Sequence, residues 1–149
     1  MRQIIYVMQF TGRAAPVPGS PSIMRATTTA ASCNLSTVVT AGGVGGSLKE
    51  VPGGQASFDS EVTLTGETSF SESGSMRFGD GSHILRFSTV GQGHLASSAD
   101  PKLKHGTVTW RVDSGAGQFA GASGLITSNF TISEAGEVTD NHFGVIFVK

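Results

Sequence analysis

Alternation of apolar and polar residues is the clearest pattern along this chain. Over residues 58–71, apolar side chains would share one face of an extended backbone, and Glu61 and Glu67 would share the other. Such alternation is typical of a β-strand with one buried face. We therefore expect one long strand here, bent at Gly66, where a missing side chain permits a bulge.

The same pattern predicts seven to nine strands in total. Residues 24–31 are rich in threonine and could be extended, and 79–82 (Gly-Asp-Gly-Ser) and 134–137 have the composition of turns. The clearest other strands are predicted at residues 4–11, 34–41, 73–78, 83–89, 107–112, 125–133 and 141–148.

Three segments interrupt this pattern. Residues 13–22 contain three prolines and are expected to form a loop. GGVGG at 42–46 predicts a flexible hairpin loop; a nucleotide-binding loop is disfavoured because the third glycine of that motif is absent and Pro52 soon breaks the chain. Residues 91–106 have the character of a helix or a long loop.

No helix of ten residues is convincing, and short strands separated by turns indicate an all-β sandwich or barrel. Apolar residues on both faces at the two ends of the chain favour a closed antiparallel barrel of about eight strands, since closure removes exposed sheet edges. At 149 residues, the chain is most simply one domain spanning 1–149.

Charge and cysteine content exclude several classes of function. A net charge of -1, with only 14% charged residues, provides no field to attract phosphates, so nucleic-acid binding is disfavoured. Cys33 is alone and the four histidines have no metal-binding spacing, so neither a metal nor another cofactor is predicted. Convergence of His83, His94 and His105 on a metal is the weaker alternative.

We expect a cytoplasmic protein without a membrane span. No apolar run approaches the roughly 18 residues that a span requires. The apolar segment near the N-terminus is short and lacks a small-residue cleavage site, so it fits a first strand better than a signal peptide.

Residues 115–124, GAGQFAGASG, resemble the GxGxFxGAxG corner of the allene oxide cyclase-like barrels. That superfamily includes plant allene oxide cyclases, dirigent proteins and small bacterial barrels. The resemblance covers about 56–148 and implies a closed β-barrel. Gly115 and Gly117 would supply positive φ angles, Phe119 would plug one barrel end, and Gly121 and Gly124 would allow close backbone approach.

The resemblance also implies a type of chemistry. Allene oxide cyclases steer ring closure of a fatty epoxide, dirigent proteins orient the coupling of phenol radicals, and related barrels shape cyclisations. We therefore expect a cavity that binds an apolar or aromatic molecule and promotes cyclisation, isomerisation or lyase chemistry. A non-catalytic carrier is the alternative, and a barrel filled with side chains that acts only through oligomer surfaces is a third hypothesis.

Candidate catalytic residues are Glu67, Arg86 and His142. Glu67 would be an acid or base, Arg86 would anchor an anionic group, and His142 would donate a proton. Each has a structural alternative: Glu67 and Arg86 would be solvated or paired on the outer face, and His142 would be a hydrogen-bonded core residue.

Candidate substrate-binding residues are Trp110, Tyr6, Glu61 and Phe119. Trp110 offers a large flat surface, and Tyr6 combines an aromatic ring with a hydroxyl group. Because the strands at 4–10 and 141–148 carry apolar residues on both faces, we also expect a homo-oligomer, either a dimer or a trimer.

Overall fold

The computed structural model describes all residues from Met1 to Lys149 and contains nine β-strands joined mostly by short turns. A single 3-10 turn, Gly117–Phe119, is the only helical segment. No helix in the chain could cross a membrane. The strands are β1 (Arg2–Val17), β2 (Ser20–Thr40), β3 (Gly43–Leu64), β4 (Ser69–Phe78), β5 (His83–Thr89), β6 (Gly93–Ser97), β7 (Leu103–Ala116), β8 (Ser123–Ser133) and β9 (Glu137–Val148).

All nine strands belong to one antiparallel sheet that closes on itself. The hydrogen-bonded order runs β3-β2-β1-β9-β8-β7-β5-β4, and pairing of β3 with β4 closes the ring. Strands β5 and β6 follow one another in a single position of the wall, because both pair with β4 and β7. The predicted closed antiparallel barrel of eight positions is confirmed.

The prediction of one strand over 58–71 is wrong. Strand β3 ends at Leu64, and the chain reverses through 65–68, where the Thr65 amide donates to the Ser69 carbonyl at 2.9 Å. Strand β4 then runs back beside β3. Glu61 therefore lies on the outer face of β3, and Glu67 lies in the exposed turn rather than on the same strand face.

The loop predicted at 13–22 is also wrong, since only the turn at 18–19 separates β1 from β2. Strand β1 pairs with β9 only as far as Arg13, so its last residues have one free edge. Pro16, which has no backbone N–H to donate, is tolerated at such an edge.

Residues 91–106 form neither a helix nor a long loop. They contain β6, a turn at 98–102 and the start of β7. A hairpin is present near 42–46 as predicted, but its turn is at 41–42, and residues 43–46 are paired in β3 rather than forming a flexible loop. The paired strands on either side of the turn form an extension that we call the arm (residues 33–50). At the base of the arm, residues 51–54 form a bulge opposite Ser32. This bulge contains Pro52, at which a break in the strand is predicted.

The interior differs between the two ends of the barrel. The corner end, near residues 115–124, is filled by buried side chains: Met76, Leu85, Phe119, Ala122, Ile126, Ile146 and Val148. Phe119 plugs this end as predicted and packs on Phe78, with ring centroids 5.3 Å apart. The opposite end, where β3 turns into β4 and β8 into β9, contains an unfilled cavity and is called the cavity end.

Gly117 and Gly124 of the corner have their predicted roles, whereas Gly115 and Gly121 have exchanged theirs: Gly121 has the positive φ and Gly115 the close backbone approach. Gly117 and Gly121 have φ angles of 60° and 69°, in the left-handed region that favours glycine. Gly115 does not have a positive φ; it is required because a Cβ there would overlap the Phe119 carbonyl. A Cβ on Gly124 would overlap the Val145 carbonyl, which confirms the predicted close approach of β8 to β9.

Candidate functional site

The cavity has a volume of about 270 Å³ and mostly apolar walls. This is just under the roughly 300 Å³ at which ligand pockets commonly begin, so it suits a small ligand. The partly exposed Leu64 and Lys104 lie where the cavity meets solvent. Its lining residues are Ala14, Met24, Ala26, Thr28, Phe58, Val62, Leu64, Phe70, Glu72, Leu95, Lys104, Phe130, Ile132, Val138 and Asp140.

Glu72 is a buried carboxyl group on the wall of this cavity. It follows Phe70 by two residues on β4, so the strand pleat directs both side chains inward. Ser60 Oγ donates to Glu72 Oε1 at 2.6 Å, and the Trp110 indole N–H donates to Oε2 at 3.1 Å. The Glu72 backbone is held as well, because its N–H donates to Thr89 Oγ1 at 2.7 Å. The side chain is thus fixed in one orientation.

Burial raises the pKa of Glu72 to about 8, because the apolar surroundings disfavour the carboxylate. The negative charge of Asp140 raises the pKa further, while the hydrogen bonds from Ser60 and Trp110 oppose the shift. Glu72 is therefore mainly a neutral acid at pH 7. A neutral carboxyl group can donate a proton, which an ionised one cannot.

Asp140 is the second buried carboxyl group that lines the cavity. Ser128 Oγ donates to Asp140 Oδ1 at 2.6 Å, and His142 Nε2 lies 2.8 Å from Oδ2. Asp140 and His142 are two residues apart on β9, so both side chains face inward. The His142 ring stacks on Phe10 with centroids 4.5 Å apart. Asp140 and Glu72 thus belong to two hydrogen-bonded groups that meet at one cavity.

Two buried polar atoms near these groups have no hydrogen-bond partner. Thr28 Oγ1 lies on the cavity wall, and His142 Nδ1 lies in the core. An unpaired buried polar atom costs about 1–3 kcal/mol, so such atoms usually have a partner. The Thr28 hydroxyl is available to hydrogen-bond an oxygen or nitrogen atom of a molecule in the cavity.

Four predicted site residues lie inside the barrel. His142 contacts Asp140, as described above, and Trp110 is fully buried between Phe58 and Phe87. Trp110 does not line the cavity but donates a hydrogen bond to Glu72, which does. Phe119 and Tyr6 lie toward the corner end; the Tyr6 hydroxyl donates to Met76 Sδ at 3.5 Å, and burial raises the pKa of Tyr6.

Three predicted site residues lie outside the cavity. Glu67 is exposed in the turn between β3 and β4. Glu61 and Arg86 are exposed on the outer face of the barrel. None of the three lines the cavity, so a direct contact with a molecule inside it is not available to them. The structure brings His142 and Trp110 together with the cavity and leaves these three outside.

The sequence pattern alone did not identify five residues of this site: Glu72, Asp140, Ser60, Ser128 and Thr28. Glu72 fell between the strands predicted at 58–71 and 73–78, and Asp140 lay one residue before the strand predicted at 141–148. With the correct boundaries, each carboxyl group shares a strand face with apolar residues. A charged residue on an apolar strand face is a signal of a buried functional group.

The structure contains no group of three or more His, Cys, Asp or Glu side chains that could hold a metal ion. The two-residue Asp140–His142 pair lies between Phe10, Phe58 and Trp110 and has no third ligand of this kind.

Comparisons with known proteins give one structural similarity. No known protein family matches the sequence, and no curated protein matches it. The solved structure of the pterocarpan synthase dirigent protein GePTS1 aligns with 100% of this chain and 88% of its own, at 14% identity and a TM-score of 0.49. Similarity at this level does not identify residues that bind a ligand, and the narrower resemblance to allene oxide cyclases stays a prediction.

Proposed function

We propose that the barrel binds a small, mainly apolar or aromatic molecule in its cavity and promotes a cyclisation, isomerisation or bond cleavage by acid catalysis. The observation that carries this proposal is the buried carboxyl group of Glu72, whose pKa is raised by burial, on the wall of a mostly apolar cavity. Perturbed pKa values of this kind are concentrated at functional sites. Ligand recognition would combine apolar contacts with hydrogen bonds to Glu72, Asp140 and Thr28.

The chemical step begins with proton donation from Glu72 to an oxygen atom of the ligand. Protonation of a carbonyl, epoxide or hydroxyl oxygen weakens the adjacent C–O bond. Electron density from another part of the ligand then forms the new bond, and the ligand finally loses a proton that restores neutral Glu72. The hydrogen bonds from Ser60 and Trp110 stabilise the Glu72 carboxylate between these two proton transfers.

The apolar walls support the same step by excluding water. Phe58, Phe70 and Phe130 line the same cavity as the two carboxyl groups. In such a site, water competes less for the proton and for the reactive ligand. A cationic or strongly electrophilic form of the ligand would be protected from hydrolysis there.

A non-catalytic carrier is the second candidate function. It is favoured by one observation: both carboxyl groups already have hydrogen-bond donors within the chain. Glu72 accepts hydrogen bonds from Ser60 and Trp110, and Asp140 accepts one from Ser128. In a carrier, these groups would fix the shape of the cavity, and the ligand would leave unchanged.

The two functions are separated by the variant Glu72→Gln. Small aromatic and alicyclic compounds carrying a hydroxyl, carbonyl or epoxide group are first tested for binding by native mass spectrometry, and binders are then tested for conversion. We expect Glu72→Gln to lower the rate of conversion by about 10²–10⁴-fold, the usual contribution of a general acid. Affinity should change much less, because glutamine keeps the shape and the hydrogen-bonding capacity.

Glu50→Gln, on the exposed arm, is the matched control and should leave conversion unchanged. The rate of the unmodified protein should also fall as the pH rises through about 8, where Glu72 loses its proton. Binding without conversion would support the carrier. If none of the compounds binds in the cavity, both proposed functions are wrong.

A further inference from the structure

Lys104 is a positively charged residue that faces the inside of the barrel. On β7, the buried residues Gly106, Val108 and Trp110 alternate with more exposed ones, so the strand pleat directs them inward. Lys104 lies two residues before Gly106 and therefore has the same orientation, and it lines the cavity. An inward-facing lysine beside an apolar cavity is unusual, because charged side chains are normally directed to solvent.

No carboxylate in the chain forms an ion pair with Lys104. The ion pairs of the structure are Arg25–Asp59, Arg111–Asp113 and Asp140–His142. Lys104 is exposed, so its ammonium group reaches solvent at the mouth of the cavity while its apolar stem borders the interior. The ammonium group is therefore free to bind an anionic group of a ligand.

The two carboxyl groups of the cavity lie deeper than this lysine. The strand registers place Lys104 in one row with Val138, next to the turn between β8 and β9, and Asp140 in the next row inward. Glu72 is deeper still, since it accepts a hydrogen bond from Trp110, which is six positions from Lys104 on β7. Six positions correspond to roughly 20 Å along a strand. The cavity thus has a cation at its mouth and carboxyl groups inside.

An aromatic ring separates the cation from these carboxyl groups. The ring of Phe130 lies across Gly106, where a Cβ would overlap it. Gly106 is the next inward position after Lys104 on β7, and Phe130 pairs with Asp140 of β9. The ring therefore lies between Lys104 and Asp140 along the inner wall. An apolar part of a ligand can pack on this ring while a polar end remains beside the lysine.

The cavity continues past Lys104 into a groove on the rim of the barrel. Lys104 and Ile132 line both spaces, and the groove has a volume of about 360 Å³. Lys102 and Glu134 also line the groove, which therefore has two cationic groups and one anionic group. This excess of positive charge attracts a singly charged anion to the rim, whereas the negative charge of Asp140 repels it from the interior.

We propose that the cavity selects small carboxylic acids, whose carboxylate binds Lys104 at the rim and whose apolar or aromatic part fills the cavity. This proposal rests on the proposed ligand-binding function and specifies the class of ligand. The charges also determine the orientation, because a reversed ligand would place its carboxylate beside Asp140 in apolar surroundings. The inner end of the ligand, with any hydroxyl, carbonyl or epoxide oxygen, is then directed toward Glu72.

Calorimetric binding of matched acids and amides tests this selectivity. The probes are phenylacetate, phenylpropanoate and phenylbutanoate, together with the neutral primary amide of each. At least one acid should bind about five- to tenfold more tightly than its amide, the upper range for an ion pair that is open to solvent on one side. Lys104→Gln should abolish this preference and leave the affinity of the amide nearly unchanged. Because Lys104 is exposed, the variant should fold normally, as circular dichroism would verify.

Lys49→Gln removes the same charge from the exposed arm and is the matched control, which should keep the preference for acids. Ala26→Leu, which places a larger side chain at the cavity, should weaken the binding of acid and amide alike. The proposal is wrong if no acid binds, if acid and amide bind equally well, or if Lys104→Gln keeps the preference. Binding that Ala26→Leu leaves unchanged would place the probes outside the cavity and would also overturn it.

Failure of this proposal is distinguishable from failure of the proposed catalysis. Glu72→Gln should keep the preference for acids, because Lys104 is unaltered in that variant. Acids that bind through Lys104 but are never converted would uphold the selectivity and support the carrier. Conversion of neutral compounds without any preference for acids would overturn the selectivity alone.

Discussion

The two ends of this barrel are built from the same strands but have different interiors. At the corner end, Met76, Leu85 and Ile126 are fully buried in close packing. At the cavity end, Leu64 and Leu95 remain partly exposed beside about 270 Å³ of empty space. Strand β4 contributes to both, with Met76 in the packed region and Glu72 at the cavity. Residues that stabilise the fold and residues that could contact a ligand therefore lie at different positions along the same strand.

The largest expected difference between the ends is the effect of truncating a large side chain. Phe119→Ala should lower the free energy of unfolding by about 3–5 kcal/mol, because it removes the buried plug and leaves a cavity in packed surroundings. Leu95→Ala should cost roughly 1 kcal/mol, since that side chain is half-buried and borders space that is already empty. Urea unfolding followed by Trp110 fluorescence measures both. Equal costs would show that the two ends are packed alike.

A second difference between the ends should appear as a dependence of stability on pH. Burial raises the pKa of Glu72 from about 4.5 to about 8. The neutral group therefore contributes stability fully below about pH 4.5, and this contribution is lost as the pH rises through about 8, on the order of a few kcal/mol. Urea unfolding at pH 5, 7 and 9 should show the loss. Glu72→Gln should remove most of it, and an unchanged slope in that variant would contradict the assignment to Glu72.

The smallest expected difference is the response to added volume. Ala26 at the cavity and Ala122 at the corner end are similarly buried, with 8% and 7% of their surface exposed. Ala122→Leu should destabilise the protein by about 1–3 kcal/mol through overpacking. Ala26→Leu should change stability by less than about 1 kcal/mol, because its side chain can enter the cavity, but should weaken ligand binding. Calorimetry of unfolding and of binding would compare them.

Alternation of residue type predicted the strands and an all-β fold, whereas the glycine corner was predicted from the resemblance of residues 115–124 to a known barrel motif. Phe119 and the turn at 79–82 could be located because a local pattern determines them. The strand containing Pro16 could not, because tolerance of a proline depends on whether a neighbouring strand needs its N–H, which only the register reveals.

The candidate site was harder to predict for a related reason. Whether Glu72 faces the interior depends on where the turn after Leu64 ends, and a one-residue error reverses the face. One long strand over 58–71 would place Glu61 and Glu67 on the same face, whereas the turn separates them and places Glu72 on the inner face of β4. Pairing of Glu72 with Ser60 of β3 and Trp110 of β7 further requires contacts between strands that are distant in sequence, which no local pattern contains.

The division of one wall position between β5 and β6 has a consequence for how such a barrel can diversify. Val90–Gln92 join these two strands close to Thr89, whose hydroxyl holds the Glu72 backbone. The strand pairs that close the ring do not depend on the length of this connection. Insertions in a surface connection cost little free energy, so its length and composition can change while the barrel persists. Under the proposed function, such changes would act next to the residue that holds the Glu72 backbone, while the ring of strands stays closed.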